Sequence, residues 1–348
     1  LIELDRVSKV FGAPPGAVRA VDQVCFRVED GETVCLIGTS GSGKTTTLKM
    51  VNRLEEPTSG RILVDGQDVQ TQDLIRLRRS LGYVIQKGGL FPHRTVAQNI
   101  GLLPRLEGWP ADRIRARVEE LLDLVSLPPE RFAQRHPHEL SGGQQQRVGV
   151  ARALSLDPSH ILMDEPFGAL DPLTRDSLQE EFLRLKSRVG KTILLVTHDL
   201  DEAFRLGDRV ALMHEGRLVQ IGTRVDFRLR PASPFVEEFM RSHLDGPGEA
   251  LALDLLDPQA QVVPMGENPG GSGPLLFLDT NGLLEAVAAE ADGPRHENPP
   301  TLAASARRAV ALEMLLETRL PALGVLDGQG RLLGAVTPTS ALRGLQKT

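Results

Sequence analysis

A glycine-rich loop set between an apolar run and a helix-like run constrains this chain more than any other feature. "TVCLIG" at 33–38 reads as a short buried strand, and "TTTLKMVNRL" at 45–54 reads as a helix. Residues 38–45 between them spell G-T-S-G-S-G-K-T, which fits G-x-x-x-x-G-K-[ST]. Glycines in such a place cost backbone entropy on folding, so a ligand that needs them is expected. With no Cβ in the way, backbone N–H groups can converge on an anion. The following helix turns its positive end, about half an elementary charge, toward the same point. Lys44 adds a point charge suited to β- and γ-phosphates, and Thr45 adds a hydroxyl suited to Mg²⁺. The expected ligand is a nucleoside triphosphate, held by Gly38, Ser40, Gly41, Ser42, Gly43, Lys44, Thr45 and Thr46.

A metal-bound triphosphate also needs carboxylates. "ILMDE" at 161–165 is an apolar strand ending in Asp164 and Glu165. Asp164 is expected to hold Mg²⁺ and Glu165 to polarise an attacking water. Further strands are expected at 61–65, 81–85 and 192–197, and alternating strand-like runs fill residues 1–30. Between about 96 and 156 the pattern turns helical, and "LTRDSLQEEFLRLKSR" puts Leu178, Phe182 and Leu185 on one helix face. The alternation of buried strands and helices predicts an α/β core with a parallel sheet and a helical insertion.

The totals exclude several classes. A net charge of −6 and only 4% aromatic residues disfavour a nucleic-acid surface. No apolar run approaches the roughly 18 residues of a membrane span, and no signal peptide is visible. The chain begins at Leu1 without a Met, so a trimmed N-terminus is expected. Cys25 and Cys35 lie in strand-like runs and are expected to be small buried hydrophobes in a reducing compartment.

"LSGGQQQRVGVARAL" at 140–154 is the discriminating segment. Ser141 is a good N-cap, and Gly142 and Gly143 expose N–H groups at a helix start, a second anion-binding turn in one chain. Here the sequence resembles the ABC ATPase family, whose signature is LSGGQ, over about residues 1–240. The resemblance implies a cassette fold with a helical subdomain, and two copies paired head to tail. ATP would lie between the phosphate loop of one copy and Ser141, Gly142, Gly143 and Gln144 of the other. It also implies an adenine-stacking aromatic at Phe11, a glutamine at Gln86 that contacts Mg²⁺ or water and touches a membrane subunit, a D-loop aspartate at Asp171, and a switch histidine at His198 that reaches the γ-phosphate. Read alone, Asp171 before Pro172 is an ordinary helix cap and Phe11 a core residue.

Only 119 residues separate Thr45 from Asp164, so no long coiled coil is inserted there. One cassette is present, with no fused membrane span. Together with "YVIQKGGLFPHRTV" and "DEPFGALDPLTR", the chain resembles ATPases of osmoprotectant importers, which handle glycine betaine, carnitine, choline or proline betaine. That implies transmembrane permease subunits as partners, a substrate-binding protein acting indirectly, no nucleic acid, and a peripheral place on the cytoplasmic membrane face. The alternative is a soluble ABC ATPase acting on nucleic acid or ribosomes. The expected divisions are a cassette at 1–242, a turn-rich linker with a degenerate start at 243–275, and a small α+β region at 276–348 that resembles a CBS module. That region holds a weak repeat, "FLDTNGLLEAV" and "VLDGQGRLLGAV", each read as strand, tight turn, strand. Where the CBS pattern has G-x-x-T-x-x-D, this chain has Gly334, Thr337 and Ser340, which leaves ribose binding without its carboxylate. Ligand sensing and passive dimerisation are both open for it.

Overall fold

A computed structural model describes residues 1–13, 15–86, 89–168, 170–244, 252–257, 260–263, 274–278, 284–288, 295–297, 299–304, 306, 308–329 and 331–342. The chain divides into two compact units, Leu1–Arg224 and Val225–Thr348, a division upstream of the one expected from composition.

Among the described residues the first unit carries ten strands: β1 Ile2–Phe11, β2 Val18–Val28, β3 Thr33–Gly38, β4 Ser59–Val64, β5 Gln67–Asp68, β6 Leu81–Val84, β7 His160–Asp164, β8 Thr192–Val196, β9 Arg209–His214 and β10 Arg217–Gly222. Six form one sheet in the order β10-β9-β3-β8-β7-β6, parallel throughout except for the β9–β10 edge hairpin. Strands β3, β7 and β8 are buried at every residue, which explains their unbroken apolar runs. The other four form an antiparallel sheet, β2-β1-β4-β5, and one apolar core including Val7, Phe26, Leu36, Leu48 and Leu194 draws on both sheets.

Helices α1 Lys44–Val51 and α2 Leu74–Ser80 precede the insertion. The insertion between β6 and β7 holds α3 Val96–Ile100, α4 Leu102–Leu106, α5 Ala111–Leu124, α6 Pro129–Phe132 and α7 Gly142–Ala153. Helix α5 buries Val118, Leu121 and Leu122, one face at helical spacing. Helix α9 Leu200–Leu206 packs on β3 and β9 of the parallel sheet, α8 Pro172–Val189 packs against α7 and α9, and α8 buries Leu178, Phe182 and Leu185 as its periodicity predicts. No described helix is long and apolar enough to cross a membrane.

Two expectations need correction. Helix α1 stops at Val51 rather than Leu54, because Arg53 takes a positive φ of 53° and the N–H groups of Leu54 and Glu55 both turn back to the Lys49 carbonyl. Cys25 is exposed. Strand β2 alternates, with Val24, Phe26 and Val28 inward, so Cys25 faces out; Cys35, on fully buried β3, is the buried thiol expected.

In the second unit, α10 Arg224–Leu229 straddles its start and α11 Pro234–Leu244 follows. Strand β11 Gln261–Val263 runs parallel to β12 Leu275–Leu278, which pairs antiparallel with β13 Leu284–Ala288, and β14 His296–Glu297 adds to the edge. Strand β15 Thr301–Ala303 runs parallel to β16 Leu323–Leu326, which pairs antiparallel with β17 Leu332–Val336. The sequence repeat is thus two hairpins, each preceded by a parallel strand. In the second copy α12 Arg308–Thr318 lies between the parallel strand and the hairpin, and α13 Pro338–Leu342 follows it. The linker pieces at 245–250 and 265–273, and the first hairpin's turn at 279–283, lie outside the described residues.

One buried acid in the first unit makes stability pH-dependent. Glu202 in α9 is 5% exposed, and burial pushes its carboxyl up to about 7. A carboxyl raised in the native state keeps a proton that the unfolded chain has released. Its contribution is therefore complete below the unfolded value of 4.5 and is lost as pH rises through about 7. Glu202→Gln mimics the protonated form. Thermal melts should show the variant matching the parent near pH 5 and exceeding it at pH 8, by on the order of 1–3 kcal/mol. Equal gains at both pH values would show that Glu202 does not titrate in that window.

Candidate nucleotide site

The loop after β3 is shaped by glycines at two close approaches. Gly38 has φ 143°, and a Cβ there would sit 2.0 Å from the Met213 carbonyl on neighbouring β9. Gly43, the N-cap of α1, has φ 95°, and a Cβ would sit 2.3 Å from the Ala20 carbonyl. No side chain caps α1, so its first N–H groups are left for another acceptor. Lys44 folds back into the loop, only 7% exposed, and donates from Nζ to the carbonyls of Gly38 at 2.8 Å and Thr39 at 3.0 Å. Burial lowers its pKa, and the nearby Glu165 and Asp164 work against that shift.

Thr45, one residue on, donates from Oγ1 to Oδ1 of Asp164 at 2.9 Å. Asp164 is 6% exposed, and burial raises its pKa while the Thr45 hydrogen bond, Lys49 and Lys44 oppose the rise. Glu165 sits just past the end of β7 at φ 45°, an uncommon conformation for a side chain of this size, held by its N–H bond to the Val196 carbonyl at 2.9 Å. Its Oε2 accepts from Nε2 of Gln86 and lies 3.4 Å from Nδ1 of His198, whose side chain is 59% exposed. Gly168 closes on this group, since a Cβ there would be 3.2 Å from the same oxygen.

The structure thus brings together Lys44, Thr45, Asp164, Glu165, Gln86 and His198 from four segments. Ser141 caps α7 in a capping box: its Oγ accepts from Gln144 N at 3.3 Å, and its own N–H donates to Gln144 Oε1 at 3.0 Å. Gly142 is exposed beside it, and Gly143 packs tightly against Thr174 and Leu178. Asp171 caps α8 by accepting from Thr174 N at 3.1 Å, and the Thr174 hydroxyl together with that N–H holds its carboxyl below the usual range. Phe11 is an exposed ring at the end of β1 with the Lys9 ammonium 4.8 Å from its centre. Sequence reading missed Gly168, whose close approach to Glu165 depends on the tertiary fold.

The donor set suits a hard cation: a hydroxyl and a carboxylate, both oxygen ligands, meet beside a loop of backbone donors. Because Gly38 pairs with Met213 across β3 and β9, Gly38→Ala should force the strands apart. A loss of about 3 kcal/mol or more is expected in urea unfolding. An unchanged midpoint would show that the close approach is dispensable.

A sequence model described as ABC transporter matches residues 21–168. The glycine betaine/carnitine/choline transport ATP-binding protein OpuCA of Bacillus subtilis is 54% identical over 240 residues, covering 69% of this chain and 62% of that protein, so the match spans less than two thirds of that relative. The glycine betaine uptake system ATP-binding protein YehX of Escherichia coli is 51% identical over 245 residues, 70% of this chain and 78% of that one. Among solved structures, the ATP-binding cassette MJ0796, a dimer in a post-hydrolysis state bound to ADP and Pi, is 33% identical with a TM-score of 0.59, covering 64% of this chain and 98% of its own. With half of the aligned residues identical across 78% of one such protein, and a solved cassette matched over 98% of its length, this chain belongs to the ABC transporter family.

Proposed function

We propose that this protein hydrolyses ATP to drive import of a quaternary-amine osmoprotectant through membrane permease subunits, on whose cytoplasmic side it sits. The carrying observation is the convergence of Lys44, Thr45, Asp164, Glu165, Gln86 and His198 at the ends of adjacent strands. The names of the relatives support the solute class.

In this reading the glycine loop and Lys44 take the β- and γ-phosphates, and Phe11 takes the adenine. Thr45 and Asp164, with Gln86, are the residues to hold Mg²⁺, which supplies charge neutralisation at the phosphates. Glu165 takes the proton from the attacking water, and His198 holds the γ-phosphate. Gln86 and His198 both approach Oε2 of Glu165, so the base and the two groups beside it meet at one oxygen. Ser141, Gly142, Gly143 and Gln144 begin a different helix, α7, and serve the ATP of a second copy, with Asp171 beside the same junction.

The cassette takes residues 1–242, a linker with the degenerate start of the regulatory region 243–275, and the CBS-like regulatory region 276–348. Within that region Ser340 is buried, and its hydroxyl accepts from Thr337 N at 2.9 Å. The same hydroxyl donates to the Thr337 carbonyl at 3.1 Å, and with no carboxylate at this position the region is read as one that does not grip adenine nucleotides.

Glu165→Gln keeps the size of the side chain and removes the base, so turnover should fall about 10²–10⁴-fold while ATP still binds and paired protein accumulates on a sizing column. Near-normal turnover would place water activation elsewhere. Labelled glycine betaine uptake into vesicles holding the cognate permease tests the solute, and ATP-dependent uptake is expected; ATPase activity without uptake of any quaternary amine would overturn the transport assignment.

Sharing of sites is tested by mixing Ser141→Arg protein with Lys44→Ala protein. Head-to-tail pairing gives the mixed dimer one doubly damaged site and one intact site, so one nucleotide per dimer should be occluded. If each site came from a single chain, every site would carry a defect and none would be occluded.

A further inference from the structure

One polar face of α8 is used neither by the nucleotide site nor by the apolar core. Arg175 and Gln179 lie one turn apart on it, and both meet the start of α9. Arg175 donates from Nη2 to the Leu170 carbonyl at 3.2 Å, in the backbone just before Asp171. Its Nη1 lies 3.8 Å from Oδ2 of Asp199, the residue that follows His198. Asp199 is itself fixed at both ends. Its Oδ1 caps α9 by accepting from Glu202 N at 3.0 Å, and its N–H donates to Thr197 Oγ1 at 3.1 Å. One turn further along α8, Gln179 donates to Glu202 Oε2 at 3.1 Å and accepts from Arg205 Nη1 at 2.9 Å.

We propose that Arg175 is a positioning residue that fastens the backbone at Leu170 to Asp199 and so holds His198 against Glu165. A continuous line of contacts runs from the Leu170 carbonyl through the guanidinium to the Asp199 carboxylate, and from there along one peptide bond to His198, 3.4 Å from Glu165. The planar fork of an arginine can address both acceptors at once, which a lysine ammonium at the end of a flexible stem does less well. Nε of Arg175 is buried without a hydrogen-bond partner, so the guanidinium is held here at a desolvation cost.

The proposal rests on the reading of the site as ATP-hydrolysing, so its test has one readout that needs turnover and one that does not. In steady-state assays on the full chain, Arg175→Ala should lower kcat about 10- to 100-fold through misplacement of His198, with KM within about twofold of the parent. Arg175→Lys, which retains one donor for the Leu170 carbonyl, should recover part of that rate. Asp199→Asn keeps the helix cap and removes the charge, and combined with Arg175→Ala it should cost no more than the worse single change. Unchanged kcat in Arg175→Ala, or losses that multiply in the double variant, overturns the link. Independently, histidine-selective NMR should show the His198 ring signals shifted in Arg175→Ala and those of distant His93 unmoved. An unshifted His198 overturns the proposal even in protein with no ATPase activity, whereas absent turnover in the parent with a shifted His198 sinks the functional reading alone.

Discussion

Parallel pairing of β3 with β8, and of β8 with β7, is the constraint on which the site depends. Leu36 and Asp164 are both aligned with Val196, so β7 and β8 end level and β3 runs on past them to Gly38, still paired with β9. The phosphate-loop glycines leave the end of β3, Glu165 leaves β7, and His198 follows β8, all at the carboxyl edge of one sheet. Ligand sites in open α/β sheets form in the crevice outside the carboxyl ends of the strands. A slip of one residue would turn every side chain of a strand to the opposite face and scatter the cluster. Full burial of all three strands opposes such a slip, since the side chains on both faces are packed against neighbours of fixed shape.

Charge balance then holds the loop in shape. Loss of water raises the Asp164 pKa and lowers that of Lys44, two opposite shifts with one cause, and each group's charge favours the ionised form of the other. With its ammonium bonded to the carbonyls of Gly38 and Thr39, Lys44 keeps the loop curved before any anion arrives. Donors fixed in place in advance cost little reorganisation when charge develops against them. Glu165 is kept in its left-handed conformation by a strand-end hydrogen bond, so the strain is supported by the same sheet that positions it.

The second unit reaches stability by repetition. A lone two-stranded hairpin is marginal in water, but each copy here adds a parallel strand, and Leu276, Val287, Leu302, Leu323 and Val325 from both copies share one core with Leu315 of α12. The Thr337–Ser340 pair caps α13 from inside that core, and Thr337 Oγ1 donates to Asp257 at 2.6 Å, so the polar residues of this turn are engaged with one another.

Local chemistry was legible in the residues themselves. The glycine loop, the apolar strands ending in Asp164 and before His198, the caps at Ser141 and Asp171, and the Leu178–Phe182–Leu185 face each depend on a few neighbouring positions, and short-range geometry decides them. The outward turn of Cys25 followed from which alternating set of β2 met the core, a matter of pairing with β1 rather than of composition. The close of α1 at Val51 depended on the backbone turning back to Lys49. Contact of Gln86 with Glu165, 79 residues apart, and of Arg175 with Asp199 came from the order in which strands assemble and the face that α8 turns to α9. Sequence determined which groups could bind a phosphate, a cation or a proton; the tertiary register alone decided which of them meet, because a contact between distant segments is set by the packing of whole elements and leaves no local pattern to read.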